Sequence, residues 1–306
     1  MNKQLRVGGQ AVIEGVMMRH QDRLAIAVRT PNGKIVVETR PWWSLGLSKW
    51  QKTKGIRGFF VLLETLVNGI KALNFSAQKA YEEDTGQELS SWAIITSMAL
   101  AIGFALLLFV VVPHLFSMLM VKLGDSGNLQ SFSFHLWDGV FKFFIFIGYV
   151  LAISFIPDIK RVFEYHGAEH KTIYAFEHGK PLTYENIKNY SRLHPRCGTS
   201  FLLFVLAISI LIFSIVIPLS LQLFQISNFW WKHVFALGLK IVLMIPISGL
   251  AYEVIRVAGE KENTWWCKFL CFPGLFFQLI TTKEPDQKQV EVAVAALKGA
   301  LGKGSC

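Results

Sequence analysis

The sequence predicts an α-helical integral membrane protein with about four transmembrane helices, a small N-terminal antiparallel β element and interfacial helices. Three observations predict this class. The 306 residues are 52% hydrophobic and 13% aromatic, which is more than an average soluble domain contains. Most apolar residues collect in four blocks, each long enough to cross about 30 Å of hydrocarbon. The positive charges lie mostly in segments that flank these blocks, as expected for surfaces that face anionic lipid.

The chain divides into three predicted parts. They are a cytoplasmic β-hairpin region with an amphipathic helix (1–90), a four-span membrane domain (91–256) that includes a cytoplasmic His- and Cys-containing loop (157–200), and an interfacial segment followed by a cytoplasmic C-terminal helix (257–306).

The N-terminal part is predicted to form a small antiparallel sheet. Residues 24–29 and 34–38 are rich in apolar and β-branched side chains and flank Asn32-Gly33. An Asn-Gly dipeptide between such runs is a strong hairpin signal. The glycine pair Gly8-Gly9 in the opening strand allows either a close approach of the backbone to another group or a bulge.

A helix is predicted over residues 59–73, where Glu64, Asn68 and Lys71 recur at helical spacing on one side. The polar residues interrupt the apolar run, which favours a helix in the plane of the membrane interface over a helix that crosses it. The alternative is an ordinary helix packed on the small sheet.

The four predicted spans are, in chain order, residues 92–112, 136–156, 201–224 and 234–254. An even number of spans puts both termini on one side. The segment 158–200 carries seven lysines and arginines, whereas the connections 113–135 and 225–233 carry one each. Because short cytoplasmic loops are enriched in positive charge, both termini and the central loop are expected to be cytoplasmic.

The C-terminal part contains a helix-like stretch over residues 265–280 that Pro273-Gly274 is predicted to break. We interpret it as an interfacial or re-entrant element. A soluble helix over residues 286–301 is expected to follow. The four cysteines, Cys197, Cys267, Cys271 and Cys306, fall outside the apolar blocks on the predicted cytoplasmic side, where thiols stay reduced.

The strongest chemical signal is the sequence His166-x-x-Glu169-His170. On a helix the two histidines lie one turn apart on one face, where both imidazoles can bind one cation. The order His-x-x-Glu-His is that of the inverted zinc peptidases, in which the glutamate polarises the attacking water. The pattern therefore predicts a divalent metal site, with zinc as the expected ion and Glu169 as the catalytic residue. The alternative is a hydrogen-bonded polar patch at the base of a membrane helix.

Further candidate ligands lie elsewhere in the chain. His194 and Cys197 come immediately before the third predicted span and supply an imidazole and a thiolate at the same membrane level. Glu253, at the end of the fourth span, is the other candidate, with a pair to Arg256 as the alternative. Glu177 is a weaker candidate, because an exposed carboxylate on a helix is the commoner explanation.

The number of ligands decides the chemistry. Four ligands from His166, His170, His194 and Cys197 would close a structural zinc site. Three ligands, with Glu169 left free, would leave an open position for water and permit hydrolysis. The remaining histidines, His20, His114, His135, His178 and His233, are isolated in the sequence, which disfavours a di-iron site built from several histidine boxes.

Three segments together resemble the DUF1385 family of bacterial membrane proteins: GGQAVIEGVMMR at residues 8–19, EYHGAEHK at 164–171 and HPRCGTSF at 194–201. The resemblance spans nearly the whole chain. It implies a metal-dependent enzyme in the bacterial plasma membrane. It also implies that the first segment belongs with the site, and we expect Gln10 and Glu14 to fold over its cytoplasmic mouth.

Two functions are compatible with these features. The first is a membrane-embedded divalent-metal hydrolase that acts at the cytoplasmic interface on a lipid or a membrane peptide. The second is a non-catalytic membrane accessory factor, for protein insertion or for a transporter, in which the metal is structural. The expected partners are the lipid bilayer and a membrane protein. No specific nucleic acid is expected, and no nucleotide, because no phosphate-binding glycine motif is present.

Overall fold

The computed structural model describes residues 7–46, 53–85, 90–260 and 264–302. The strands are β1 (Val7–Val12), β2 (Gly15–His20), β3 (Arg23–Arg29) and β4 (Ile35–Pro41). The helices are α1 (Arg57–Thr85), α2 (Ser91–Leu106), α3 (Val112–Leu123), α4 (Phe132–Ile153), α5 (Pro157–Glu177), α6 (Tyr184–Ile187), α7 (Gly198–Phe224), α8 (Phe229–Glu260), α9 (Trp265–Thr281) and α10 (Gln287–Leu301). A π-helical turn, Leu107–Val111, joins α2 to α3. Cys306 and the side chain of Cys267 lie outside the described part.

The four strands form one antiparallel sheet in the order β1-β2-β3-β4, which confirms the predicted N-terminal sheet. The predicted hairpin joins β3 to β4, where Arg29 pairs with Ile35 and Gly33 adopts a left-handed conformation with φ of +86°. One face of the sheet packs on α5 and α10, and the other packs on α1. Because both faces are covered, the middle of each inner strand is a continuous apolar run, residues 16–18 in β2 and 24–28 in β3, and does not alternate with polar residues.

Within the described part of the chain, five helical stretches are long and apolar enough to cross a membrane, judged by length and composition. They are Arg57–Tyr81, Trp92–Leu123, Phe132–Ile153, Gly198–Phe224 and Phe229–Val257. The last four overlap the four predicted spans. The additional stretch belongs to α1 and is the least apolar of the five, so the predicted count of about four differs from the structure by one helix.

The polar residues of α1 explain this difference. Glu64 and Asn68 are buried. The Ser44 hydroxyl and the Leu45 amide donate to the Glu64 carboxylate at 2.8 and 3.0 Å, and the Asn68 amide donates to the Trp43 carbonyl at 2.9 Å. Glu64 and Asn68 on the polar side of α1 therefore face the segment after β4 and not water, whereas Lys71 is exposed. The helix packs on the sheet, which is the alternative that its sequence left open.

Helix α9 runs without interruption from Trp265 to Thr281 through Pro273, so the predicted break at Pro273-Gly274 is wrong. A proline in a helix removes one backbone hydrogen bond, and close packing compensates here. A side chain on Gly274 would overlap the Ser200 hydroxyl of α7. The predicted C-terminal helix is confirmed, because α10 begins after Asp286, which forms a capping box with Gln289.

Candidate metal centre

Helix α5 carries the two histidines of the predicted site. It begins at Pro157, a residue type suited to the first turn of a helix. His166 and His170 lie one turn apart, as their spacing predicts, and the centroids of their rings are 4.4 Å apart. The same helix contributes Glu169, which is buried.

Backbone carbonyls orient both imidazole rings. The Nδ1 atom of His166 is 2.8 Å from the Thr281 carbonyl oxygen at the end of α9. The Nδ1 atom of His170 is 2.5 Å from the Arg192 carbonyl oxygen. A carbonyl oxygen only accepts hydrogen bonds, so each neutral ring carries its hydrogen on Nδ1 and keeps a free electron pair on Nε2. Histidine ligands of metal ions are usually held in this way.

Cys197 completes the cluster. It precedes α7, and its sulfur accepts a hydrogen bond from the Thr199 amide at 3.4 Å. The sulfur is 3.2 Å from Nε2 of His166. One ligand atom each from His166, His170 and Cys197 all lie within 4.8 Å of one another. Ligands of a tetrahedral zinc ion are about 3.5 Å apart at ordinary bond lengths, so the three residues fit such an ion after small movements.

The protonation of these groups suits metal binding. Burial acts to raise the pKa of the Cys197 thiol, but the charge of His170 and the hydrogen bonds from His170 and Thr199 outweigh it, and the pKa lies below its ordinary value. Burial lowers the pKa of His170, and the charge of His166 lowers it further. Thiolate sulfur and neutral imidazole are the forms that bind metal ions.

Glu169 lies beside the cluster, between α5 and the first strand. A side chain on Gly9 of β1 would come within 2.7 Å of its Oε1 atom. Its Oε2 atom is buried and has no hydrogen-bond partner among the described residues. Burial raises the pKa of Glu169 to about 8. The charge of His166 opposes this shift, and the charge of Cys197 adds to it. The glycine pair Gly8-Gly9 was expected to allow either a close approach of the backbone to another group or a bulge. Gly9 allows a close approach, because its backbone lies against the Glu169 side chain.

His194 lies next to the three ligands but is bound elsewhere. Its ring centroid is 5.5 Å from that of His170. Its Nδ1 accepts a hydrogen bond from the Arg196 amide at 3.2 Å, and its Nε2 is 3.9 Å from the Glu177 carboxylate. Glu177 also forms an ion pair with the side chain of Arg196. The Glu177 side chain is only 7% exposed, so the expectation that it is an exposed helix carboxylate is wrong.

Glu253 is also engaged away from the cluster. Its carboxylate accepts two hydrogen bonds from the Arg57 guanidinium of α1, at 2.7 and 2.6 Å. The structure thus brings together His166, His170 and Cys197, with Glu169 and His194 beside them. It does not bring Glu253 to them.

Replacing Glu253 with glutamine is therefore expected to leave the metal content of the purified protein unchanged. The free energy of unfolding should fall by about 1 kcal/mol, because half-buried Arg57 loses a charged partner. Metal analysis and denaturant unfolding in detergent micelles measure the two effects. The Cys197→Ser protein, which loses a ligand, is the comparison that should lose metal. Loss of metal from Glu253→Gln at unchanged stability would contradict this assignment.

The N-terminal segment 8–19 contacts the site, as the resemblance implies. Its residues Gln10 and Glu14, however, contact two different helices. Glu14, with φ of +50°, accepts hydrogen bonds from the Arg161 guanidinium at 2.5 Å and from the Tyr165 hydroxyl at 3.3 Å. Gln10 instead packs against Gly69 of α1. Glu14 therefore holds the segment to α5 one residue before His166, and Gln10 holds it to α1.

Three further groups support the site and have no signature in the sequence. Two are the carbonyls of Thr281 and Arg192. The third is fully buried Gln278, which accepts from the His194 amide at 2.8 Å and donates to the His194 carbonyl at 2.9 Å. A backbone carbonyl depends on the fold and not on residue type, so no motif could have identified the first two. A glutamine among aromatic residues was a weak signal for the third.

Together these features define a helical protein with several helices of membrane-spanning composition and a small sheet that packs against a His-His-Cys cluster. The chain belongs to the DUF1385 family, because the family model described as "Protein of unknown function (DUF1385)" matches residues 55–303. It is similar to the uncharacterized protein YqhQ of Bacillus subtilis (strain 168), with 33% identity over an alignment that covers 96% of this chain and 92% of that protein. No solved structure matches the chain.

Proposed function

We propose that this protein is a membrane-embedded hydrolase that uses a divalent metal ion, with zinc as the expected ion. The observation that carries the proposal is the convergence of three ligand groups beside a buried carboxylate. His166, His170 and Cys197 would hold the ion. Glu169 has a carboxylate oxygen without a hydrogen-bond partner among the described residues. When bound, such an ion supplies Lewis acidity and lowers the pKa of water in its open position to about 7.

The environment of His194 supports an open site over a closed structural one. Both of its ring nitrogens face other groups, the Arg196 amide and the Glu177 carboxylate. Its use as a fourth ligand would leave buried Glu177 without one of its partners. Three protein ligands with a vacant fourth position are the usual arrangement of catalytic zinc, whereas four protein ligands are usual in structural sites.

Glu169 is suited to accept a proton from a water molecule. It is adjacent to His170 in α5, and it is 4% exposed. Its pKa, raised to about 8 by burial, lies near neutral pH, and a general base with such a pKa, once ionised, takes a proton from water efficiently. Gly9 leaves room for the carboxylate, since a larger residue there would overlap it.

We also propose that the site faces the cytoplasm at the bacterial plasma membrane and that both termini lie on that side. The packing of the N-terminal sheet on α10 supports this orientation, because the two ends of the chain must then lie on one side. Only an even number of crossings permits this, so α1 would be the apolar helix that does not cross. The basic segment 158–200 favours the cytoplasm. A scissile bond in a lipid or a membrane peptide suits this location.

Replacing Glu169 with glutamine tests the proposal. The Glu169→Gln protein is expected to retain its bound metal, because the three ligands are intact. It is expected not to complement a strain that lacks the gene. Glu185→Gln, which changes an exposed carboxylate of α6, is the matched control and should complement fully. Full complementation by Glu169→Gln with metal still bound would favour the non-catalytic accessory factor with a structural metal. Absence of metal from the wild-type protein would contradict both functions.

A further inference from the structure

A second group of ionisable side chains lies among the helices of membrane-spanning composition, and none of its members belongs to the metal centre. The sequence suggested that His114, His135 and His233 are isolated, but the structure brings them together. The group, which we term the intramembrane cluster, consists of His114 on α3, His135, Asp138 and Lys142 on α4, and His233 and Lys240 on α8. Ionisable residues in such helices usually mark the path or the binding site of an ion or substrate.

The charges of the intramembrane cluster do not balance. Two ammonium groups share one carboxylate oxygen, because Oδ2 of Asp138 accepts from Lys142 at 3.2 Å and from Lys240 at 3.0 Å. Both ammonium groups also face the ring of Phe213, each at 5.8 Å from its centroid. With neutral histidines, the described side chains of the cluster carry a net charge of +1.

This excess charge is placed where it is costly. Lys142 lies midway along the stretch Phe132–Ile153, and Lys240 lies near the middle of Phe229–Val257. Their side chains are only 16% and 15% exposed. An excess charge at the centre of a membrane helix is costly. A bound anion would remove this cost.

A cavity adjoins the excess charge. It has a volume of about 180 Å³ and is lined by Lys240 and the three histidines, together with apolar residues that include Val110 and Val111. The last two belong to the π-helical turn Leu107–Val111, a feature that often occurs at functional sites. A water molecule takes up about 30 Å³ in the liquid, so the cavity has room for a small ion and several waters.

Hydrogen-bonding groups around the cavity also match a hydrated anion. Nε2 of His114 and Nδ1 of His233 are 3.2 Å apart. Whichever of the two donates, one outer nitrogen of the pair carries a hydrogen that an anion can accept. One buried acceptor of a residue that lines the cavity, Nδ1 of His135, has no partner among the described residues. Water that enters with the anion would donate to it.

We propose that the intramembrane cluster binds a small hydrated monovalent anion, such as chloride, against Lys240 and the histidine pair. The anion balances the second ammonium group, and its water satisfies the buried Nδ1 of His135. This site is separate from the metal centre and does not depend on the proposed hydrolase activity.

Thermal unfolding of the full-length protein in detergent micelles tests this inference, with sodium chloride compared with sodium gluconate at equal ionic strength. The unfolding midpoint of the wild type should rise with chloride and reach a plateau, because a ligand that binds the folded state stabilises it. Lys240→Gln removes the excess charge and should weaken the apparent chloride affinity at least about tenfold. Asp138→Asn removes the balancing carboxylate and should strengthen the affinity instead.

The opposite signs of the two variants separate anion binding from simple destabilisation, which would lower both midpoints without changing the affinity in opposite directions. Lys122→Gln, an exposed lysine at the end of α3, is the matched control and should respond to chloride like the wild type. Equal midpoints in chloride and gluconate for the wild type would overturn the inference. An unfolding midpoint that depends on pH but not on the anion would also overturn the inference, since that result indicates a proton site.

Discussion

Replacing His170 with alanine is expected to reduce the metal bound to the purified protein from about one ion per chain to almost none. His170 is one of the three residues whose ligand atoms converge, and its ring is fixed by the Arg192 carbonyl. Two remaining ligands do not retain zinc at neutral pH in competition with a chelator. Elemental analysis by mass spectrometry, after dialysis against a weak chelator, measures the effect.

His178→Ala is the matched control for this experiment. His178 is exposed just beyond the same helix, its Nδ1 is 2.8 Å from the Tyr174 carbonyl, and its ring contacts that of Tyr190, which is outside the cluster. Its replacement should leave the metal content unchanged. Equal metal contents in the wild type and in His170→Ala would mean that the His-His-Cys cluster is not the metal site.

Replacing Gly167 with alanine is expected to lower the free energy of unfolding by about 3 kcal/mol. A side chain on Gly167 would overlap the carbonyl oxygen of Lys283, whose amide donates to the Phe163 carbonyl at 2.8 Å. The segment after α9 must move away from α5 to accommodate it. That movement also withdraws the Thr281 carbonyl from His166, so metal affinity should fall by about tenfold to a hundredfold.

Denaturant unfolding in micelles and metal titration measure these two effects on Gly167→Ala. Gly148→Ala is the control, because a side chain at Gly148 in α4 would meet no atom within 4 Å. It should leave stability unchanged or raise it slightly, since alanine favours helices more than glycine does. A stable Gly167→Ala protein with normal metal affinity would show that the contact between α5 and the segment after α9 does not support the site.

Sequence reasoning identified features that depend on residues close together in the chain. The spacing of His166 and His170 predicted one helix face, Asn32-Gly33 predicted a hairpin, and Asp286 marks the start of α10. Each is decided by backbone geometry within a few residues. Local patterns carry this information without knowledge of the rest of the fold.

The features that sequence reasoning missed depend on contacts between distant segments. The histidines at positions 114 and 233 look isolated along the chain, yet their rings are within hydrogen-bond distance because α3 packs near α8. Glu253 accepts two hydrogen bonds from Arg57, which lies 196 positions earlier in the chain. Helix α9 continues through Pro273 because Gly274 fits closely against α7. None of these contacts has a signature in a short segment.

The carbonyl that orients His166 has a consequence for biosynthesis. Thr281 follows His166 by 115 positions, and α10, which packs on the same face of the sheet as α5, comes later still. A nascent chain that has inserted its first helices therefore contains all three thiolate and imidazole groups but not the contacts that fix their directions. The three side chains can therefore reach their final arrangement only after the ribosome has released α9 and α10 from its exit tunnel, and a chain stalled before α9 would carry the cluster residues without the carbonyl that orients His166.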